Sequence, residues 1–132
     1  MELKKRIFVV EDESGVLDYL GAIISSAGYE FISCRNGGEA FSRIQNEFPD
    51  LIVLDVMLPE LDGISLCKKI KSNKKTHSIP VIMVTALTDG STIQDAYVSG
   101  ARDCLPKPLD REIFKNKIHN ALQESVPSLA LN

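Results

Sequence analysis

Long hydrophobic runs are missing from this chain. Its apolar stretches fall far short of the ~20 residues a membrane span needs. The opening Met-Glu-Leu-Lys-Lys-Arg leads directly into a strand-like run and lacks the apolar centre of a signal peptide. Cysteine is sparse: Cys34, Cys67 and Cys104 are widely spaced and form no CxxC pair, which argues against a disulfide framework or a zinc site. Positive charge is not in excess. The formal net charge of −3 speaks against a generic nucleic-acid binder, which needs a basic surface to meet phosphates. There is no P-loop, no internal repeat, no low-complexity tract and no linker between domains. His77 and His119 have no metal-ligand partner at useful spacing. These absences lead to an expectation of a cytoplasmic domain with no membrane and no direct nucleic-acid contact.

What remains is an ordinary globular composition, 44% hydrophobic and 25% charged over 132 residues, the size of one domain. Short apolar runs alternate with amphipathic stretches. Ile7-Phe8-Val9-Val10 precedes Val16, Leu20, Ile23, Ile24 and Ala27, whose spacing is that of one helical face, with Gly28 as the stop. Phe31-Ile32-Ser33-Cys34 reads as a strand. Asn36 and Glu39 have capping-box spacing and open a helix that directs Ala40, Phe41, Ile44 and Phe48 inward. Residues 51–55, ending in Asp55, and residues 80–85 are further strands. Between them lies a helix carrying Ile64, Cys67 and Ile70 on one side, and its lysines, Lys68, Lys69 and Lys71, read as a solvated face. Asp89 caps a fourth helix with Ile93, Ala96 and Tyr97. A short strand follows near 103–105, and a last helix carries Phe114, Ile118, Ala121 and Leu122. Five βα units with nearly continuous apolar strands imply a parallel sheet covered by helices on both faces. Residues 1–124 form this domain, and 125–132 are a tail or the start of a linker.

Polar residues stand where the strands end. Glu11 and Asp12 follow the first, Asp55 the third and Thr85 the fourth, while Lys107 follows the fifth between Pro106 and Pro108. In an open α/β sheet these ends form the ligand crevice. On position alone Asp55 could equally cap the next loop. Three acids in one crevice repel one another, and a divalent cation such as Mg²⁺ resolves the conflict. Asp12 and Asp55 are the direct ligands in this reading, with Glu11 acting through water. One of Asp12, Glu13 and Ser14 is expected to cap the first helix. A carboxylate can also attack phosphorus, and a hydroxyl and an ammonium suit the charge of a phosphoryl group in transfer.

Phe8-Val9-Val10-Glu11-Asp12-Glu13, Leu54-Asp55-Val56-Met57-Leu58-Pro59, Asp62-Gly63, Val84-Thr85-Ala86 and Leu105-Pro106-Lys107-Pro108, in this order, resemble the receiver domain of two-component response regulators, the CheY-like fold. The resemblance covers about residues 5–124. It implies a flavodoxin-like, doubly wound α/β/α fold with five helices around a five-stranded parallel sheet in order 2-1-3-4-5. It implies that Asp55 accepts a phosphoryl group from a sensor histidine kinase or phosphotransfer protein. It further implies Mg²⁺, or another divalent cation, held by Asp12, Asp55 and the backbone carbonyl of Met57 with Glu11 in support. Thr85 and Lys107 would contact the phosphoryl group, and the Lys107–Pro108 bond is often cis in this family. The output would be a protein-binding face, serving an output domain, a downstream protein or a homodimer through residues 89–124. The chain departs from the pattern twice. Glu11 replaces the usual first aspartate, and Cys104 stands where the family has an aromatic switch residue. Such a domain is a switch rather than an enzyme.

Three other functions fit these residues less well. A phosphatase forming an aspartyl phosphate would need an acid two residues after Asp55, where this chain has Met57. A receiver-like scaffold would not need the acids, Thr85 and Lys107 together. A flavodoxin-type cofactor binder is disfavoured because Glu11-Asp12-Glu13 would repel an anionic cofactor.

Overall fold

Ten elements alternate strictly along the chain: β1 (Arg6–Val10), α1 (Ser14–Ser26), β2 (Glu30–Cys34), α2 (Gly37–Glu47), β3 (Leu51–Asp55), α3 (Gly63–Ser72), β4 (Val81–Thr85), α4 (Gly90–Val98), β5 (Asp103–Pro106) and α5 (Arg111–Glu124). They come from a computed structural model that describes residues 3–87 and 89–124. The expected tail, 125–132, lies outside the described residues.

All strand pairs are parallel and the sheet order is β2-β1-β3-β4-β5. The chain winds outward from β1 to β2, then returns past β1 and winds the other way. The order reverses between β1 and β3, which is where an open α/β sheet leaves its crevice.

The continuous apolar runs are explained by burial on two sides. Phe8, Val10, Ile52, Leu54 and Met83 pack with Ala40, Ile44, Leu66, Ile70 and Ala96 of α2, α3 and α4. Ile7, Val9, Val53, Ile82 and Val84 pack with Leu20, Ile23 and Ile24 of α1 and Phe114 and Ile118 of α5. Successive strand residues point to opposite faces, so every position in β1, β3 and β4 from Ile7 onward must be apolar until the strand leaves the core. Cys34 and Cys67 are small core residues, as expected. Gly28 follows α1 with a φ of +94°, the left-handed conformation in which glycine ends a helix at no steric cost.

Side chains start four of the helices. Asn36, Asp62, Asp89 and Asp110 accept hydrogen bonds from the backbone N–H groups of Glu39, Ser65, Thr92 and Ile113. Helix α1 departs from expectation: Glu13 holds the N-cap position, but no side chain caps it. Phe48 also departs. It ends α2 in a left-handed conformation, φ 48°, and is exposed rather than turned inward. Tyr97 is likewise exposed, and Ala96 alone among the α4 residues is fully buried. Leu17 and Leu66, both buried, extend the faces that the spacing identified.

Candidate functional site

Strand register brings the polar residues together. Val10 pairs with Cys34 on one side and with Leu54 on the other, so Glu11 and Asp55, each the next residue, come level. Asp55 pairs with Val84, and Thr85 with Pro106. Glu11, Asp55, Thr85 and Lys107 therefore emerge side by side at the carboxyl edge, as the motif spacing predicts.

The contacts are short. Lys107 Nζ lies 2.9 Å from Asp55 Oδ2, 2.9 Å from Glu11 Oε1 and 3.9 Å from Glu13 Oε1. The other Asp55 oxygen, Oδ1, accepts a hydrogen bond from the Met57 N–H at 3.2 Å. Both oxygens are thereby oriented by the chain itself. Glu11 Oε2 accepts from the Glu13 N–H at 3.2 Å, which closes the turn from β1 into α1. This contact stands where a side-chain cap of α1 was expected.

Burial sets the electrostatics. Glu11 and Asp55 are buried, while Asp12 is more accessible. Desolvation pushes the Glu11 carboxyl above its ordinary range, the Lys107 ammonium and the Glu13 N–H pull it back, and the charge of Asp55 adds to the rise. For Lys107, burial favours the neutral amine, but Glu11 and Asp55 outweigh it and hold the ammonium above its usual value. The lysine is therefore a fixed positive charge. Its backbone N–H donates to Thr85 O at 2.8 Å, and the Lys107–Pro108 peptide is cis. Thr85, also buried, accepts from the Leu87 N–H at its hydroxyl oxygen, 2.9 Å away.

One carboxylate oxygen from each of Glu11, Asp12 and Asp55 lies within 4.8 Å of the others. Three carboxylates beside one ammonium leave a formal excess of two negative charges, and oxygen-only donors suit a hard divalent cation. The residues present fit such an ion. Asp12, Glu13, Asp55, Met57, Ala86 and Lys107 line the adjoining cavity of about 240 Å³. Met57 is thus at the site, as expected, with its side chain largely exposed.

Sequence reasoning missed three participants. Glu13 is a third carboxylate facing Lys107, after Asp55 and Glu11, and its signal was present in Glu11-Asp12-Glu13. Arg35 donates from Nη2 to the Asp12 carbonyl at 2.6 Å across a separation of 23 residues. The Met57 N–H on Asp55 is a backbone feature. Nothing in the spacing marks either of the last two.

The chain matches the family description "Response regulator receiver domain" over residues 7–119. It is 36% identical over 120 residues to the probable transcriptional regulator ycf27 of Porphyridium aerugineum, covering 91% of this chain and 49% of that protein. The chain thus spans about half the length of the curated relatives it matches. Among solved structures, a putative response regulator from Chloroflexus aurantiacus J-10-fl is 31% identical with a TM-score of 0.88, covering 92% of this chain and 99% of that one. The receiver domain of sensor histidine kinase PA1611 from Pseudomonas aeruginosa PAO1 is 25% identical with a TM-score of 0.85, covering 92% of this chain and 99% of that one. That protein was solved with a magnesium ion coordinated in its active-site cleft.

Proposed function

Because the chain belongs to the response regulator receiver-domain family, we propose that it acts as a phosphorylated switch in a two-component pathway, with Asp55 as the acceptor. An Asp55 oxygen attacks the phosphorus of a phosphohistidine on a sensor kinase or phosphotransfer protein. The P–N bond breaks, its electron pair stays with the imidazole, and an acyl phosphate forms on Asp55. The observation that carries this reading is the double contact of Lys107 with Asp55 and Glu11 at 2.9 Å. It holds a fixed cation beside the acceptor carboxylate, within reach of the charge carried by an incoming phosphoryl group.

Asp12 and Asp55, with the Met57 carbonyl, would hold Mg²⁺ or another divalent cation, and Glu11 would support it. When bound, such an ion neutralises charge on the phosphoryl oxygens. Thr85 donates its hydroxyl proton to one phosphoryl oxygen and Lys107 pairs with another. Neither Met57 nor Leu87, both apolar, can take a proton from an attacking water. This supports a switch that holds its phosphoryl group over the phosphatase reading.

We assign residues 1–124 to the receiver and read the protein as cytoplasmic. Among the described residues, no helix is long and apolar enough to cross a membrane. The greater length of its relatives supports a role beside an output domain or a downstream protein. Tyr97, Val98 and Ile113, exposed on residues 89–124, suit that face to protein contact, including a homodimer.

Incubation with acetyl phosphate and Mg²⁺, followed by intact-mass measurement, tests the central assignment. One phosphoryl group is expected per chain, dependent on Mg²⁺ and absent from Asp55→Asn. Full labelling of that variant contradicts it.

A further inference from the structure

Ala86 and Leu87 are adjacent in sequence yet line different cavities. Ala86 borders the acidic cavity with Asp12, Asp55 and Lys107. Leu87 borders an apolar cavity of about 210 Å³ with Thr85, Ile93, Cys104, Leu105 and Pro106. An apolar cavity of about 150 Å³ is enough to hold a benzene ring, so the space beside Cys104 accommodates a leucine side chain. Neither neighbour fills it: Cys104 is small, and Tyr97 lies outward with its hydroxyl accepting from the Cys104 N–H at 3.2 Å. Leu87, 39% exposed, stands at the mouth.

The Thr85 backbone cannot follow a phosphoryl group. It pairs with Pro106 in the sheet, and its carbonyl accepts the Lys107 N–H. Only its side chain and the chain beyond it are free to rearrange. Its hydroxyl oxygen is bonded to the Leu87 N–H at 2.9 Å. A hydroxyl can donate to a phosphoryl oxygen while still accepting from an amide. Rotation of Thr85 toward Asp55 therefore draws the Leu87 amide with it and shifts the segment that separates the two cavities.

We propose that Leu87 is the side chain that reads phosphorylation. It moves from the mouth into the cavity beside Cys104 when Thr85 engages a phosphoryl group on Asp55, an inference that rests on the Asp55 reading above. The move buries apolar surface and removes Leu87 from the face that precedes α4. By linkage, whatever blocks the inward position must weaken binding of a phosphoryl mimic.

Methyl NMR of the protein with Mg²⁺, before and after addition of beryllofluoride and with a soluble paramagnetic agent, tests this. The Leu87 methyls are expected to lose solvent contact and to gain cross-peaks to Ile93 and Leu105. Cys104→Phe fills the cavity and should weaken beryllofluoride binding about 5-fold or more. Leu87→Ala, at a half-exposed position that leaves the core intact, should weaken it in the same direction. If amide signals near Asp55 and Lys107 shift while the Leu87 methyls stay equally accessible, or both variants bind the mimic as the native chain does, the Leu87 role is wrong and the Asp55 reading stands. If the native chain shows no shift near Asp55, both fall together.

Discussion

Lys107 Nζ stands 2.9 Å from Asp55 Oδ2 and 2.9 Å from Glu11 Oε1, so one ammonium compensates two buried carboxylates that belong to different strand ends. Removing a single partner from a buried ionic cluster leaves uncompensated charge and costs about 3–5 kcal/mol. Lys107→Met should therefore lower the unfolding free energy by about 3 kcal/mol when no divalent cation is present. Added Mg²⁺ should recover part of the loss, because the ion supplies the missing positive charge. Urea unfolding with and without Mg²⁺ measures both effects, and an unchanged midpoint contradicts them.

The three acids differ in access, which separates their roles. Glu11 is fully buried and committed to Lys107 and the Glu13 N–H, whereas Asp12 opens to the cavity. Loss of a supporting group around a metal costs about 10–100-fold in affinity. Glu11→Gln is expected near the lower end of that range, and Asp12→Ala should cost more. Mg²⁺ titration by calorimetry decides the order, and a larger loss in Glu11→Gln would reverse the assignment.

Much of this site is legible in the sequence, for a physical reason. Strands buried on both faces are apolar without interruption, so Glu11, Asp55 and Thr85 stand out as the points where β1, β3 and β4 leave the core. Strand order is not encoded in periodicity and came from the resemblance, which the sheet bears out. Phe48 fits a helical face by spacing, yet the chain turns left-handed at that residue, ahead of Pro49. Tyr97 likewise has core spacing, but its hydroxyl takes the Cys104 N–H at the sheet edge. The contact of Arg35 with the Asp12 carbonyl depends on how β2 sits beside β1, which no local pattern records.

Gly63 links stability to the site. A Cβ built there would lie 2.1 Å from the Asp55 carbonyl oxygen, so the turn after β3 must open. Gly63→Ala should destabilise the fold by about 1–3 kcal/mol, the usual cost of forcing atoms into a packed region, and should also slow phosphorylation by displacing Asp55. Gly90→Ala is the control: a Cβ there meets nothing within 4 Å. Its stability should be unchanged or slightly raised, since alanine favours helix by up to about 1 kcal/mol. Thermal unfolding and acetyl-phosphate uptake of the pair check both statements.

Lifetime distinguishes the switch from a phosphatase. General acid–base help supplies typically about 10²–10⁴-fold in rate, and Met57 and Leu87 provide none. Loss of the phosphoryl group, followed by mass spectrometry after the donor is removed, should be slower than enzymatic turnover by at least ~10²-fold. Turnover at about 1–10³ s⁻¹ would identify an enzyme instead.

The most direct test is chemical trapping. Borohydride reduces an aspartyl phosphate to homoserine, so the modified residue can be located by peptide sequencing. After incubation with acetyl phosphate and Mg²⁺, homoserine should appear at position 55 and not at Asp12, and the corresponding reduced glutamate, 2-amino-5-hydroxypentanoic acid, should appear at neither Glu11 nor Glu13. Homoserine at a different aspartate, or phosphoryl uptake with position 55 unmodified, would contradict the assignment of Asp55 as the acceptor.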